Sequence, residues 1–321
     1  MTVRKFNYIR FSIFIAVFLA IIIGIVFLIK HINYTKTNEY KLLKLGYTES
    51  EINIINDKLS GDEINKILEL GYNSVYIGLI KEKYFMFKNF DKYLEYRRMH
   101  VDYDYDKIVS IINTEANIDF LDEEKQTDTS KGVLMLVNRL YGLNKDYEVD
   151  DIVDVPVKYA YSGKKLSNVL MNDLMSLCDD ASLNGFTLVV SDGYRSYSDQ
   201  EKLYNSYVSS SGRSEADKIV ARPGHSEYET GLSLDLVPYN KYYDVPKSSE
   251  EYIWLKNNAY KYGFIFRFEQ EKENLTGFRE YTWRLRYVGV EAATKIYNEN
   301  ICFEEYYAYY VEGDKKWMIK K

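Results

Sequence analysis

The sequence predicts a mixed α+β domain standing behind a helical spacer and one membrane-spanning helix. Three observations carry this. Residues 11–29, "FSIFIAVFLAIIIGIVFLI", are apolar and uncharged. Residues 40–125 repeat the signals of short capped helices. The last 190 or so residues, by roughly the size of a compact domain, mix strand and helix patterns without the regular βαβ recurrence of a parallel sheet.

The apolar run is long enough to cross a bilayer as a helix. Arg4, Lys5 and Arg10 precede it, which puts residues 1–10 in the cytoplasm, the span at 11–29 and the rest outside. A cleaved signal peptide would have a shorter apolar core and a small-residue cleavage site, and "KHINYTK" offers none. Residues 30–125 read as a helical extracytoplasmic stalk. "LGYTESE" (45–51) and "LELGYNS" (68–74) repeat a Leu-Gly-Tyr turn; Thr48 with Glu51 and Ser60 with Glu63 have capping-box spacing. Gly46 and Gly71 then fit helix C-termini. Two copies are too few to define a solenoid.

"FLDEEKQTDTSK" (120–131) is a polar boundary, and the second domain is expected over 126–321. "FTLVVSDGYRS" (186–196) reads as a buried strand running into a turn. Ser198 and Glu201 are expected to cap the next helix, which carries Leu203, Tyr204 and Tyr207. In "GLSLDLV" (231–237) Leu232, Leu234 and Leu236 alternate with Ser233 and Asp235, giving one apolar and one polar face. Ser248 and Glu251 open a helix that Gly263 closes. "TWRLRYVG" (282–289) alternates Trp283, Leu285 and Tyr287 with Arg284 and Arg286.

Composition narrows the function. With 46% hydrophobic and 28% charged residues and four prolines, the chain folds rather than staying disordered. A formal charge of −6 argues against nucleic acid as partner. The 33 tyrosines suit carbohydrate or peptide contact, although the accompanying Lys, Asn and Ile also fit an AT-rich genome. Cys178 and Cys302 do not make a disulfide framework. There are only three histidines, His31, His100 and His225.

Three segments stand out together: "SDGYRS" (191–196), "RPGHSEYETGLSLD" (222–235) and "REYTWRLRYVG" (279–289). Their order resembles the VanY-type D-alanyl-D-alanine carboxypeptidases, zinc peptidases that trim peptidoglycan stem peptides. "QEKLYNSYV" (200–208), "WLKNNAYKYGFIFRF" (254–268) and "GVLMLVNRLYGLNKDYEVDDIV" (132–153) extend the resemblance over the second domain. It implies a small antiparallel sheet flanked by helices, of the Hedgehog/D-Ala-D-Ala peptidase type, with the site on the sheet face. It also implies a zinc held by His, Asp and His, with a Glu as general base.

The family patterns are Ser-x-His-x-x-Gly-x-x-x-Asp and, later, Glu-x-Trp-His. The first falls on Ser226, Tyr228, Gly231 and Asp235; the second on Tyr281, Trp283 and Arg284. The three ligand positions are therefore Tyr228, Asp235 and Arg284, and the general-base position is Tyr281. Asp235 alone is unchanged. A phenol is a poor ligand at neutral pH, and arginine has no lone pair to give. His225 belongs to the "GHSE" run that relatives share; His31 and His100 lie elsewhere in the chain. Glu280 neighbours the base position and would need a one-residue slip to serve.

No zinc and no intact catalytic set are therefore expected. An Asp235–Arg284 pair, with the Tyr228 and Tyr281 hydroxyls nearby, is expected to take over the structural part of the metal's role. Arg195 matches the arginine that anchors the substrate carboxylate in the family, and Ser226 the motif serine; both are kept. The expected protein is a membrane-anchored pseudopeptidase binding a stem peptide or scaffolding wall enzymes. The alternatives are an active carboxypeptidase with an unusual site, and a structural or interaction protein.

Overall fold

The computed structural model describes residues 8–119, 123–241 and 245–313. Arg4 and Lys5 of the expected cytoplasmic segment, and residues 120–122 of the expected boundary loop, lie outside the described residues. The chain divides into two compact units, Met1–Val109 and Ser110–Lys321.

In the first unit α1 (Tyr8–Thr35) is long and apolar enough to cross a membrane. It is followed by α2 (Asn38–Leu45), α3 (Glu49–Lys58), α4 (Gly61–Leu70), α5 (Ser74–Ile80) and α6 (Phe90–Met99). The division falls within α7 (Tyr105–Asn113). Both expected capping boxes form: Thr48 and Ser60 donate their backbone N–H to Glu51 and Glu63 at 2.8 and 2.7 Å. Gly46, at φ +103°, ends α2, and Gly71 ends α4. The Tyr47 hydroxyl donates to the Gly71 carbonyl at 2.9 Å, and its ring meets Tyr72 edge-on at 4.9 Å. The two Leu-Gly-Tyr turns thus pack on each other.

The second unit begins with two short pairs. β1 (Lys125–Gln126) pairs parallel with β2 (Tyr141–Gly142), and β3 (Ile152–Asp154) antiparallel with β4 (Lys165–Ser167). Then come α8 (Met171–Leu183), β5 (Leu188–Asp192), α9 (Tyr197–Ser211), α10 (Arg213–Ile219), β6 (Ser233–Pro238), α11 (Glu250–Asn258), β7 (Phe264–Phe268), α12 (Glu273–Thr276), β8 (Tyr281–Tyr287), α13 (Val290–Glu299) and α14 (Phe303–Tyr306). β5–β8 form one antiparallel sheet in the order β5-β6-β8-β7. This is the α+β class that the sequence predicts.

Leu174 and Leu177 of α8 pack with Val190, Leu234, Leu236 and Leu285 of the sheet, all fully buried. Each such side chain stabilises the fold by about 1.5–3 kcal/mol. Every residue of β6 from Ser233 to Pro238 is buried, its polar ones included. As a central strand it is covered on both faces, and its polar side chains face the site.

Two helix starts are also corrected. Ser196, not Ser198, caps α9: its hydroxyl accepts from Asp199 N at 3.2 Å and donates to the Asp199 carboxylate at 2.7 Å. Ser249, not Ser248, caps α11. In each case a competing hydroxyl lies within two residues, and tertiary position selects the register. Gly263, at φ +83°, ends the 3-10 turn after α11 as expected.

Candidate functional site

Strand pairing sets the floor of the site. Asp192 of β5 lies opposite Asp235 of β6, and Asp235 lies opposite Arg284 of β8. Two carboxylates facing each other across strands repel, so each needs a cation. Arg284 Nε donates to Asp235 Oδ1 at 3.0 Å. Arg195, three residues past the end of β5, donates to Asp192 Oδ2 at 2.7 Å, and Lys164 approaches the same carboxylate at 3.7 Å.

A 3-10 turn at Glu227–Thr230, closed by Gly231 at φ +68°, brings Tyr228 over this row. The Arg195 N–H donates to the Tyr228 carbonyl at 3.2 Å. The Tyr228 hydroxyl donates to Asp235 Oδ1 at 2.6 Å, so one carboxylate oxygen takes both the phenol and the guanidinium. Burial pushes the Tyr228 phenol well above its ordinary pKa, which keeps it a neutral donor. Arg195 and Arg284 both stand over its ring, at 4.6 and 4.5 Å, and Arg284 also stands over Tyr281 at 4.2 Å. Burial works against the Arg284 charge, but the Tyr228 oxygen and Asp235 hold its pKa above the ordinary arginine value.

Behind the turn lies a fully buried charge cluster. Arg267 gives Nε to Glu227 at 2.8 Å and a bidentate fork to Glu304 at 2.9 and 2.6 Å. Arg286 Nη1 approaches Glu227 at 3.3 Å, while its other nitrogens donate to the carbonyls of Tyr287, Val133 and Met135. The cluster ties α14 and two strands to the residue beside Tyr228. Glu229 takes the backbone N–H groups of Gly224 and Ser226 at 2.9 and 3.3 Å; burial pushes its pKa up to about 7.

A cavity of about 250 Å³ opens above these residues. Arg195, Ser226, Tyr228, Tyr281 and Arg284 line it together, as does His225. Tyr281 spends its hydroxyl on the Ile219 carbonyl at 3.1 Å. Glu280 is not brought in: it faces Lys247 at 2.6 Å, outside the lining. His225 donates Nδ1–H to the Asn138 carbonyl at 2.8 Å, which makes it a wall of the cavity. His31 and His100 belong to the first unit, where His100 packs against Tyr96 and Tyr103. Cys178 and Cys302 are buried and free.

Sequence reasoning missed two contributors. Asp192 went unassigned because a bulge between Val190 and Asp192 breaks the alternation that would have placed it on the face of Asp235. Glu227, Arg267, Arg286 and Glu304 are separated along the chain, and no local spacing links them.

The donor set does not fit the zinc that the resemblance implies. Arg284 offers no lone pair, Tyr228 is a protonated phenol bonded to Asp235, and the facing Asp235 oxygen already accepts twice. Among the described residues no group of three His, Cys, Asp or Glu is placed to hold a metal ion.

Comparisons with known proteins bear on the fold and the family. The family model for VanY, D-alanyl-D-alanine carboxypeptidase, matches residues 163–290. YodJ of Bacillus subtilis (strain 168) is 34% identical over 184 residues, covering 55% of this chain and 67% of its own. The D-alanyl-D-alanine carboxypeptidase of Enterococcus faecalis (strain ATCC 700802 / V583) is 33% identical over 192 residues, 57% of this chain and 68% of its own. Among solved structures, the LdcB LD-carboxypeptidase, described for its peptidoglycan recognition, has a TM-score of 0.54 at 33% identity over 57% of this chain and 89% of its own. With the sheet, the motif order and these matches in agreement, the chain belongs to the VanY family of D-alanyl-D-alanine carboxypeptidases.

Proposed function

We propose that this protein is a membrane-anchored, extracytoplasmic VanY-family pseudopeptidase that binds peptidoglycan stem peptides without hydrolysing them. One observation carries the reading: Asp235 Oδ1 is shared by Tyr228 and Arg284, so the one unchanged ligand residue is bonded to the two that replaced histidines. A guanidinium at a ligand position repels a dication, and Glu280, beside the general-base position held by Tyr281, faces Lys247 outside the cavity lining. The cavity and its Arg195 and Ser226 walls are kept, which supports binding without cutting. The apolar α1, with Arg4, Lys5 and Arg10 before it, supports an anchor with the N-terminus in the cytoplasm.

Metal analysis tests this directly. Full-length protein purified in detergent and equilibrated with zinc is expected to retain far less than one zinc per chain, and to release no D-alanine from stem pentapeptide. One zinc per chain, or release of D-alanine that Asp235→Asn abolishes, would overturn it. The combined variant Tyr228→His, Tyr281→Glu, Arg284→His should gain stoichiometric zinc, because it restores three protein ligands on the same scaffold.

A further inference from the structure

The two arginines of the cavity are in different states. Arg195 has both terminal amines committed, one to Gln200 Oε1 and one to Asp192 Oδ2, each at 2.7 Å. Arg284 uses Nε alone, toward Asp235. Among the described residues no hydrogen bond reaches the Arg284 terminal amines, and its side chain lines the cavity at 18% exposure. The Tyr228 and Tyr281 rings, 4.5 and 4.2 Å from its central carbon, and the Nε bond to Asp235 hold this guanidinium in place.

We infer that Arg284 is the anchor of this cavity for a free peptide carboxylate, and that Arg195 is a wall rather than the anchor. The inference deepens the stem-peptide reading above and rests on it for the kind of peptide. With Nε on Asp235, the edge formed by the two terminal amines remains, and that edge matches a carboxylate bidentately. Holding the guanidinium in advance removes much of the ordering cost that a free arginine side chain incurs on binding.

Charge does not oppose the assignment. Asp192 and Asp235 are matched by Arg195 and Arg284, Glu227 by Arg267 and Arg286, and Glu229 is held by backbone N–H groups. Directed donors, rather than a net positive field, then select the ligand. Leu203, Val220, Phe268 and Phe278 give the same cavity apolar walls suited to a short aliphatic side chain beside the carboxylate. The ligand is accordingly a chain end, and a peptide whose terminal carboxylate is blocked loses its principal contact. The inference thus moves the anchor from Arg195, where the resemblance implies it, to a residue that stands where the family pattern has a histidine.

The test uses full-length protein in detergent and four probes in calorimetric titration: stem tetrapeptide acid, its C-terminal amide, acetyl-D-alanine and acetyl-D-alanine amide. The acids should bind about tenfold or more tightly than the amides, the scale of one charge-assisted hydrogen-bonded pair. Arg284→Gln should erase that ratio, and Arg195→Gln should leave it in place. An acid preference that survives Arg284→Gln, or that disappears in Arg195→Gln alone, overturns the inference and leaves stem-peptide binding standing. Acid preference for acetyl-D-alanine with no binding of either stem peptide upholds the carboxylate site and overturns the stem-peptide reading; no binding of any probe overturns both. Should Arg284→Gln fail to fold, a crystal structure of the unmodified protein with acetyl-D-alanine decides. Its carboxylate must lie within hydrogen-bond distance of Arg284, and a carboxylate on Arg195 instead refutes the assignment.

Discussion

At the scale of single residues, Glu229 shows how the site loop is held. Its carboxylate is buried, bonded by the Gly224 and Ser226 N–H groups, and carries a pKa of about 7 against an ordinary 4.5. The folded state therefore binds an extra proton between those values. That stabilisation is complete below the unfolded pKa and is lost as pH rises through about 7. The full difference is on the order of 3 kcal/mol. The melting temperature of Glu229→Gln, compared with the unmodified protein at about pH 5 and about pH 8, should show the variant gaining on it as pH rises. Equal pH profiles would show that Glu229 ionises normally. The residue-level logic of Tyr228, Asp235 and Arg284 was readable in the sequence, because motif spacing fixes which position each occupies. Their bonding was not readable: a shared carboxylate oxygen depends on a turn and two strands meeting.

At the scale of elements, the passage from the 3-10 turn into β6 depends on Gly231. Its φ of +68° lies in the left-handed region, and a Cβ there would sit 2.6 Å from Ile152 Cδ1 and 3.0 Å from Ser167 N. Gly231→Ala should cost about 1–3 kcal/mol from backbone strain and collision together. Gly163, at φ +76° with open space around it, is the matched control, since alanine there meets only the backbone penalty. Thermal unfolding of the two variants should rank Gly231→Ala as clearly the less stable; equal losses would mean that β3 and β4 move aside freely. The capping boxes of α3 and α4 were legible because a cap is a local event three residues long. The starts of α9 and α11 were misplaced by one or two residues where neighbouring serines compete and distant packing decides.

At the scale of the whole molecule, the second unit is closed by its C-terminal end. Glu304 of α14 holds Arg267 by a bidentate fork, and Arg267 in turn holds Glu227 next to Tyr228. None of these side chains is appreciably exposed. Glu304→Ala leaves both terminal amines of the buried Arg267 without their carboxylate partner and should destabilise the protein by about 3–5 kcal/mol. It should also weaken tetrapeptide binding, because the turn carrying Tyr228 loses its support. Chemical denaturation read by tryptophan fluorescence measures the first effect; a loss below about 1 kcal/mol would place the cluster among ion pairs of little net value.

The sequence alone determined the apolar helix, the α+β class, the family and the identity of the residue at each motif position. The helix and the fold class follow from composition and periodicity within short stretches; the family and the motif positions follow from the resemblance of the quoted motifs to the VanY carboxypeptidases. Tertiary structure alone decided that Asp192 joins Asp235, that Glu280 turns away to Lys247, and that Arg195 bonds Gln200 and Asp192 through its terminal amines while Arg284 meets Asp235 through Nε. The physical reason is the same in each case. A hydrogen-bond donor has a fixed number of directions, and what remains for a ligand is known only after the fold has used its share.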